Sequence, residues 1–134
     1  MTGYFVDTAV FAYAVGAPHP HRDGCRSFLR SAARHRIPLH ASSEAVQEFL
    51  FHRLRRGGRA AAVAQTRAMM DGLVLHPVDQ QVLDRCLELV TTTPLRGRDA
   101  VHAATALLAG FDEIVTTDAD FAGCGLRVVP PARA

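Results

Sequence analysis

Asp7 closes the short apolar run "GYFVD", and Asp118 directly follows "EIVTT". Asp99 opens the alanine-rich segment "DAVHAATALLAG", while Glu44 and Glu48 lie just after "IPLHAS". Carboxylates are hard oxygen donors. With no cysteine or histidine pair beside them, as a set they suit Mg²⁺ or Mn²⁺ better than zinc. Mg²⁺ held by a few carboxylates and water usually also contacts phosphate, where the ion activates water and offsets charge on a leaving oxygen. Taken singly, each acid has a plainer role. A strand-end aspartate makes a turn, Asp99 suits a helix N-terminus, and Asp120 helps the turn after Asp118. Only a shared position makes them a metal site, so the elements that carry them decide the matter.

The run at 3–7 reads as a buried strand, and "TAVFAYAV" as a short helix that Asp7 or Thr8 caps. "HRDGCRSFLRSAARHR" is helical, with Phe28, Leu29 and Ala32 as its stripe. "IPLHAS" is a second strand, and 43–56 a helix with Ala45, Val46, Phe49, Leu50 and Leu54 on one side. Gly57 and Gly58 break it before a further helix, "RAAAVAQTRAMMDG". "LVLHPV" is a third strand. Asp79 caps the next helix, whose stripe is Val82, Leu83, Cys86, Leu87 and Val90. The loop "TTTPLRGR" precedes the alanine-rich helix, which Gly110 closes. "EIVTT" is a fourth strand and "LRVV" a fifth. This alternation of helices with short unbroken apolar strands implies an α/β fold. It is a single domain over 1–134, with a central parallel sheet of four to five short strands flanked by helices on both faces.

In such a sheet the strands' carboxyl ends share one edge, and ligands bind there. Asp7, Asp118 and the start of the 43–56 helix lie on that edge. A helix returning to the start of the fourth strand must also begin there, which adds Asp99. Glu44 and Glu48 are four apart and share a helix face, so periodicity does not choose between them. Carboxylates gathered this way raise each other's pKa and cost stability unless a cation or a use for the protons accompanies them.

The composition fits this reading. The chain has 134 residues, enough for one full core, and 49% of them are apolar. No apolar run has the length of a membrane span and no basic stretch precedes the first apolar one, which points to the cytoplasm. Cys25, Cys86 and Cys124 are odd in number and far apart, as buried thiols rather than a disulfide framework or a zinc ribbon. Between Arg22 and Arg67 stand ten arginines and three acids, and from Met69 onward five arginines and nine acids. Those arginines, with Arg96 and Arg98 beside the acids, suit a polyanion's backbone. The absence of lysine excludes any mechanism that needs a catalytic one. Metal, water, phosphate and arginines together indicate a nuclease.

The residues also resemble a known family. "YFVDTAVFAYA", "SSEAVQEFLF" and "RGRDAVHAATALLAGFDEIVTTDADF" are similar, along essentially the whole chain, to the motifs of PIN-domain ribonucleases. The similarity is greatest to the VapC-type toxins of bacterial toxin–antitoxin pairs. The resemblance implies metal-binding acids at Asp7, Glu48, Asp99 and Asp118. Its spacing from Ser42 favours Glu48, with Glu44 as a substitute. Thr8 and Thr117 resemble hydroxyl residues that orient a carboxylate or a water. His102, one turn after Asp99, either bonds to the site or packs. The resemblance further implies hydrolysis of an RNA phosphodiester with Mg²⁺, or Mn²⁺ in its place. Asp7 and Asp99 would hold the ion most directly, while Asp118 and Glu48 complete its shell or position the water. It implies a cognate VapB-like antitoxin, one of whose arginines reaches the acidic pocket, and a homodimer. Apolar residues of 22–36 and 43–72, Phe49, Phe51, Met69 and Met70 among them, would supply the partner surface.

Other folds with acids on this edge fit less well. A phosphoacceptor receiver needs a lysine, and a haloacid-dehalogenase-type phosphatase needs an aspartate where Ala9 stands. A flavodoxin-like carrier needs a hydroxyl- and glycine-rich loop where "TAVFAYAV" stands. The rival of another class is a PIN-like module that binds RNA or protein without cutting. His19 and His21 have the form of a metal pair but lack acid or cysteine partners nearby.

Overall fold

The computed structural model describes residues 2–134. Its strands are β1 (Tyr4–Phe5), β2 (Leu39–Ser42), β3 (Val74–His76), β4 (Glu113–Val115) and β5 (Arg127–Val129). Its helices are α1 (Thr8–Val15), α2 (Arg22–Arg34), α3 (Ser43–Leu54), α4 (Arg59–Asp71), α5 (Gln80–Thr92) and α6 (Gly97–Leu108). All strand pairs are parallel. The ladders form a three-stranded sheet, β1-β2-β3, and a two-stranded sheet, β4-β5, rather than one continuous sheet. A parallel bridge from Val6 to Val115 joins them. Consecutive amides there turn to opposite neighbours: Val6 N–H donates to the His40 carbonyl (2.8 Å) and Asp7 N–H to that of Val115 (2.9 Å). The spatial order is therefore β3-β2-β1-β4-β5. Strand order reverses between β1 and β4, the place where open parallel sheets bind ligands.

β1 is shorter than the 3–7 run suggests. Gly3 has a φ of +98°, and an added Cβ would collide with the Pro38 carbonyl, so the chain enters the strand through a turn only glycine makes easily. Past Phe5, alternation sends successive side chains to opposite faces. Phe5 and Ile114 join the core under α5 and α6. Val6 and Val115 join the core under α1, α2 and α3. On α6, Ala100, Ala103, Ala104 and Ala106 are wholly buried, and these small residues let that helix lie close to the sheet and to α5.

The caps place the helix starts. Ser42 Oγ accepts from Ala45 N–H at the start of α3, and Asp79 caps α5 through Val82 N–H at 3.0 Å. Gly110, at a φ of +89°, ends α6, with Phe111 N–H bonded back to the Ala106 carbonyl. The three cysteines are buried free thiols. The stripe expected on α5 needs correcting. Val82, Cys86 and Leu89 are buried, but Leu83, Leu87 and Val90 face outward, Leu87 with 67% of its surface open. The helix has two adjacent apolar faces, and α6 and the sheet cover only one.

Candidate active site

Asp7 occupies the N-cap of α1, yet its side chain makes no capping bond. The carboxylate is 5% exposed, and its Oδ2 accepts from Thr116 Oγ1 at 2.9 Å. Thr116 Oγ1 also accepts from Asp118 N–H at 3.0 Å, so one hydroxyl ties the ends of β1 and β4 together. The Asp118 carboxylate caps a single 3₁₀ turn (Ala119–Phe121), with Oδ1 accepting from Asp120 N–H at 2.8 Å. The turn role and the cleft position coexist, because one carboxylate oxygen suffices for the cap. Asp99 sits in the first turn of α6. Glu48 reaches in from the second turn of α3.

Asp7, Glu48, Asp99 and Asp118 all line one open cleft of about 960 Å³ at the carboxyl edge of the sheet, together with Thr8 and Thr117. Glu44 does not line it. The 43–56 helix thus presents Glu48 to the acids, the choice that periodicity alone left open. Thr117 stands on the wall, and its neighbour Thr116 supplies the hydroxyl bonded to Asp7. The Val6–Val115 register sets Thr116 beside Asp7, and a single strand read from sequence does not reveal which strand it will adjoin or in what register. Arg96, expected beside the acids, occupies the N-cap position of α6 without a side-chain capping bond and does not line the cleft, whereas Arg98 lines it and lies 3.7 Å from a Glu48 oxygen. Arg55 and Arg56, at the end of α3, extend the basic wall. His19 and His21 also line it, packed around Tyr13.

His102 lies behind Thr8 and Glu48, buried at 1% exposure and outside the cleft lining. Its Nδ1 lies 2.7 Å from Ser42 Oγ, and its Nε2 lies 3.2 Å from Thr8 Oγ1 and 3.5 Å from Glu48 Oε1. Ligand atoms of Asp7, Glu48 and His102 fall within 4.8 Å of one another. Both His102 nitrogens are engaged, however, so the imidazole serves to position Thr8 and Glu48, and the open oxygen donors are the carboxylates. Burial favours the neutral ring, but the Glu48 hydrogen bond and the charges of Asp7, Glu48 and Asp99 outweigh it and raise the pKa. Ser42 Oγ already accepts from Ala45 N–H, which suits an imidazole that donates to it.

The acids respond differently to their surroundings. Burial pushes the Asp7 carboxyl up against the pull of His102 and Thr116. Burial, and then the charge of Asp7, push Asp99 up to about 6, with Asp118 and Glu48 adding to the effect. Burial would raise Glu48 as well, but His102, Thr8 and Arg98 overcome it and leave that carboxyl below its usual value. The site is therefore a gathering of carboxylates with incomplete internal compensation. A divalent cation would relieve it, and oxygen donors without a cysteine fit Mg²⁺ or Mn²⁺. The sequence reading singled out neither Thr116 nor the pairing of Ser42 with His102.

Comparison with known proteins agrees with this geometry. The PIN domain family matches residues 4–124. Ribonuclease VapC7 of Mycobacterium tuberculosis is 39% identical over 132 residues, covering 95% of this chain and 91% of that protein. The crystal structure of Mycobacterium tuberculosis VapC20, a sarcin–ricin-loop-cleaving toxin, superposes with a TM-score of 0.78 at 22% identity, over 96% of this chain and 100% of the other. A toxin–antitoxin complex from Klebsiella pneumoniae gives a TM-score of 0.74 at 20% identity, over 98% and 100%. The family match across nearly the whole sequence, and the relative aligned along almost its full length, establish that the chain belongs to the PIN-domain family.

Proposed function

We propose that this chain is a metal-dependent endoribonuclease and the toxin half of a toxin–antitoxin pair, acting as one domain over residues 1–134 in the cytoplasm. One observation carries the reading. Asp7, Glu48, Asp99 and Asp118 come from four remote segments and line a single cleft at the strand-order reversal, beside Arg98. The likeness to a relative named a ribonuclease supports the activity.

In this reading Asp7 and Asp99 would hold Mg²⁺, or Mn²⁺ in its place, and Asp118 and Glu48 would complete its shell or position the attacking water. When bound, the cation supplies positive charge against the phosphodiester and makes water more acidic. The chain's own residues do the rest. Thr116 fixes the Asp7 carboxylate, His102 and Thr8 orient Glu48, and Asp120 N–H fixes Asp118. Arg98 is a counter-charge for a backbone phosphate, and Arg55 and Arg56 continue that track along the cleft. No covalent nucleophile is required.

The cognate antitoxin inhibits by covering this cleft, a role in keeping with a structural neighbour that is a toxin–antitoxin complex. Of the residues expected on a partner surface, Phe49 and Met69 are buried in the core, while Phe51 and Met70 are exposed. Met70 and Val63 on α4 and the outward stripe of α5 offer apolar surface for the antitoxin and for a second copy of the chain. Among the described residues no helix is long and apolar enough to cross a membrane. Cleavage of single-stranded RNA by the purified chain, lost in Asp7→Asn and Asp99→Asn and in excess EDTA, is the expected result. Equal cleavage by all three proteins, or cleavage in EDTA, would refute the mechanism.

A further inference from the structure

Phe51 is a large apolar side chain left 50% exposed on the wall of the acid cleft. It lies three residues after Glu48 on α3, a spacing that puts their Cβ atoms about 5–6 Å apart on one helix face. Two guanidinium groups flank its ring, Arg55 and Arg98, each 5.7 Å from the ring centroid. Both stand near the outer limit of a cation–π contact and are held loosely. Arg98 also pairs with Glu48, so one cation links the ring to the acids. His52, next to Phe51 on the same wall, has a buried Nδ1 with no hydrogen-bond partner. The cleft lining holds further aromatic surface, with the Tyr13 and His19 rings stacked at 4.4 Å. An aromatic face beside arginines along a phosphate track is how proteins hold unpaired bases.

Resting on the ribonuclease reading, we propose that Phe51, with Arg55 and Arg98 around it, is the stacking platform for an unpaired base of single-stranded RNA, adjacent to the phosphodiester held at the acids. The platform selects substrate by strandedness. A base within a duplex is already stacked and cannot also lie on Phe51, so loops and single strands enter and helices do not. The charge around the ring favours nucleic acid over an apolar peptide segment, since such a segment would bury both guanidinium groups without a partner.

The test uses the full chain with Ca²⁺ in place of Mg²⁺ and a short fluorescent oligoribonucleotide, read by anisotropy. Half-exposed Phe51 can be changed without opening the core, and a thermal melt checks this. Phe51→Ala and Phe51→Leu are expected to bind the single strand about 5- to 100-fold more weakly, because stacking on an aromatic face is lost in both. Phe51→Tyr is expected to bind like wild type, and a duplex of the same length to be indifferent to the substitution. Undiminished single-strand binding by Phe51→Ala overturns the proposal, as does Phe51→Leu matching wild type, or an equal loss on single strand and duplex. Unchanged RNA binding together with lost antitoxin binding also overturns it and makes Phe51 a protein contact. Wild type that cuts single-stranded RNA alongside a Phe51→Ala variant with unaltered KM sinks the platform alone. Wild type that neither binds nor cuts RNA removes the ribonuclease reading with it.

Discussion

Replacing Asp99 with asparagine should stabilise the metal-free protein while abolishing its activity. The folded carboxyl titrates at about 6 against an ordinary value of 3.8. At about 1.4 kcal/mol per pH unit, that difference corresponds to about 3 kcal/mol against folding once the group is ionised in both states. Asp99 is only half-buried and faces the open cleft, so solvent screening brings the figure to about 1.5 kcal/mol. An acid in the first turn of a helix also gains about 0.5 kcal/mol from the dipole, which asparagine forgoes. The net gain for Asp99→Asn is then about 1 kcal/mol, or roughly 3–5 °C in Tm for a domain of this size. The pH dependence follows from the direction of the shift. Because the folded pKa lies above the unfolded one, the penalty is absent below the unfolded value, grows through the interval, and is complete above about 6. Melts in EDTA should therefore separate the two proteins at about pH 7.5 and superpose them at about pH 4. Saturating Mn²⁺ should reverse the order at neutral pH, since only wild type gains the full ligand stabilisation, about 2.7 kcal/mol at a hundredfold excess over Kd. If Asp99→Asn in EDTA at about pH 7.5 is no more stable than wild type, or keeps its gain at about pH 4, the carboxylates do not strain one another as argued.

Cation binding must displace the proton that Asp99 holds, so calorimetric Mn²⁺ affinity should fall about tenfold between about pH 7.5 and about pH 5, and a flat profile would contradict this. His102→Ala should cost about 2–4 kcal/mol in urea denaturation, because it opens a cavity and leaves Ser42 and Thr8 hydroxyls without their partner. The raised pKa of His102 gives a contribution that is complete below its ordinary value of 6.5 and is lost as pH rises through the folded value, so the destabilisation should shrink as the solution is made alkaline. Arg98→Ala should weaken RNA binding and lower the salt slope by about one unit, whereas Arg96→Ala, outside the cleft, should leave that slope nearly unchanged. Leu87→Glu on the open face of α5 should convert a dimer to a monomer in light scattering while far-UV circular dichroism stays that of the folded chain, and an unchanged mass would place the pairing surface elsewhere.

The layout of the sheet was legible because β1, β2, β3 and β4 are short apolar runs ended by turn residues, and each helix between them begins at a readable cap or break such as Ser42, Gly58 or Asp79. What periodicity does not contain is which neighbour covers a helix. On α5, Val82, Leu83, Cys86, Leu87 and Val90 form one broad apolar sector in sequence, and only the packing of α6 decides that Leu83, Leu87 and Val90 stay outside it. The division of the sheet at Val6–Val115 was hidden for a related reason. A strand of two residues gives no alternation to read, and its pairing changes sides between one amide and the next.

The acids themselves could be placed from sequence because the direction of a parallel sheet is enough: strand ends and helix starts share one edge, whatever the order of the strands. The groups that hold those acids needed more. Thr116 reaches Asp7 only because β4 lies beside β1 in a register where the residue after Val115 faces the residue after Val6. One step along the strand, Thr117 has the same chemistry and a different direction, so residue type alone could not distinguish them. His102, in the second turn of α6, meets Ser42 and Thr8 only because the starts of α3 and α1 converge on it. A site of this kind divides in two. Its charges are announced by topology, since they must face the ligand edge, whereas their supports depend on register and on convergence of elements far apart in the chain. Substitutions at Thr116 or Ser42 should consequently act through the orientation of Asp7 and Glu48 rather than through loss of charge. Thr116→Val would then lower the affinity for Mn²⁺ while Thr116→Ser, which keeps the hydroxyl, restores it. A Val variant that binds the ion as tightly as wild type would show that Asp7 needs no such anchor.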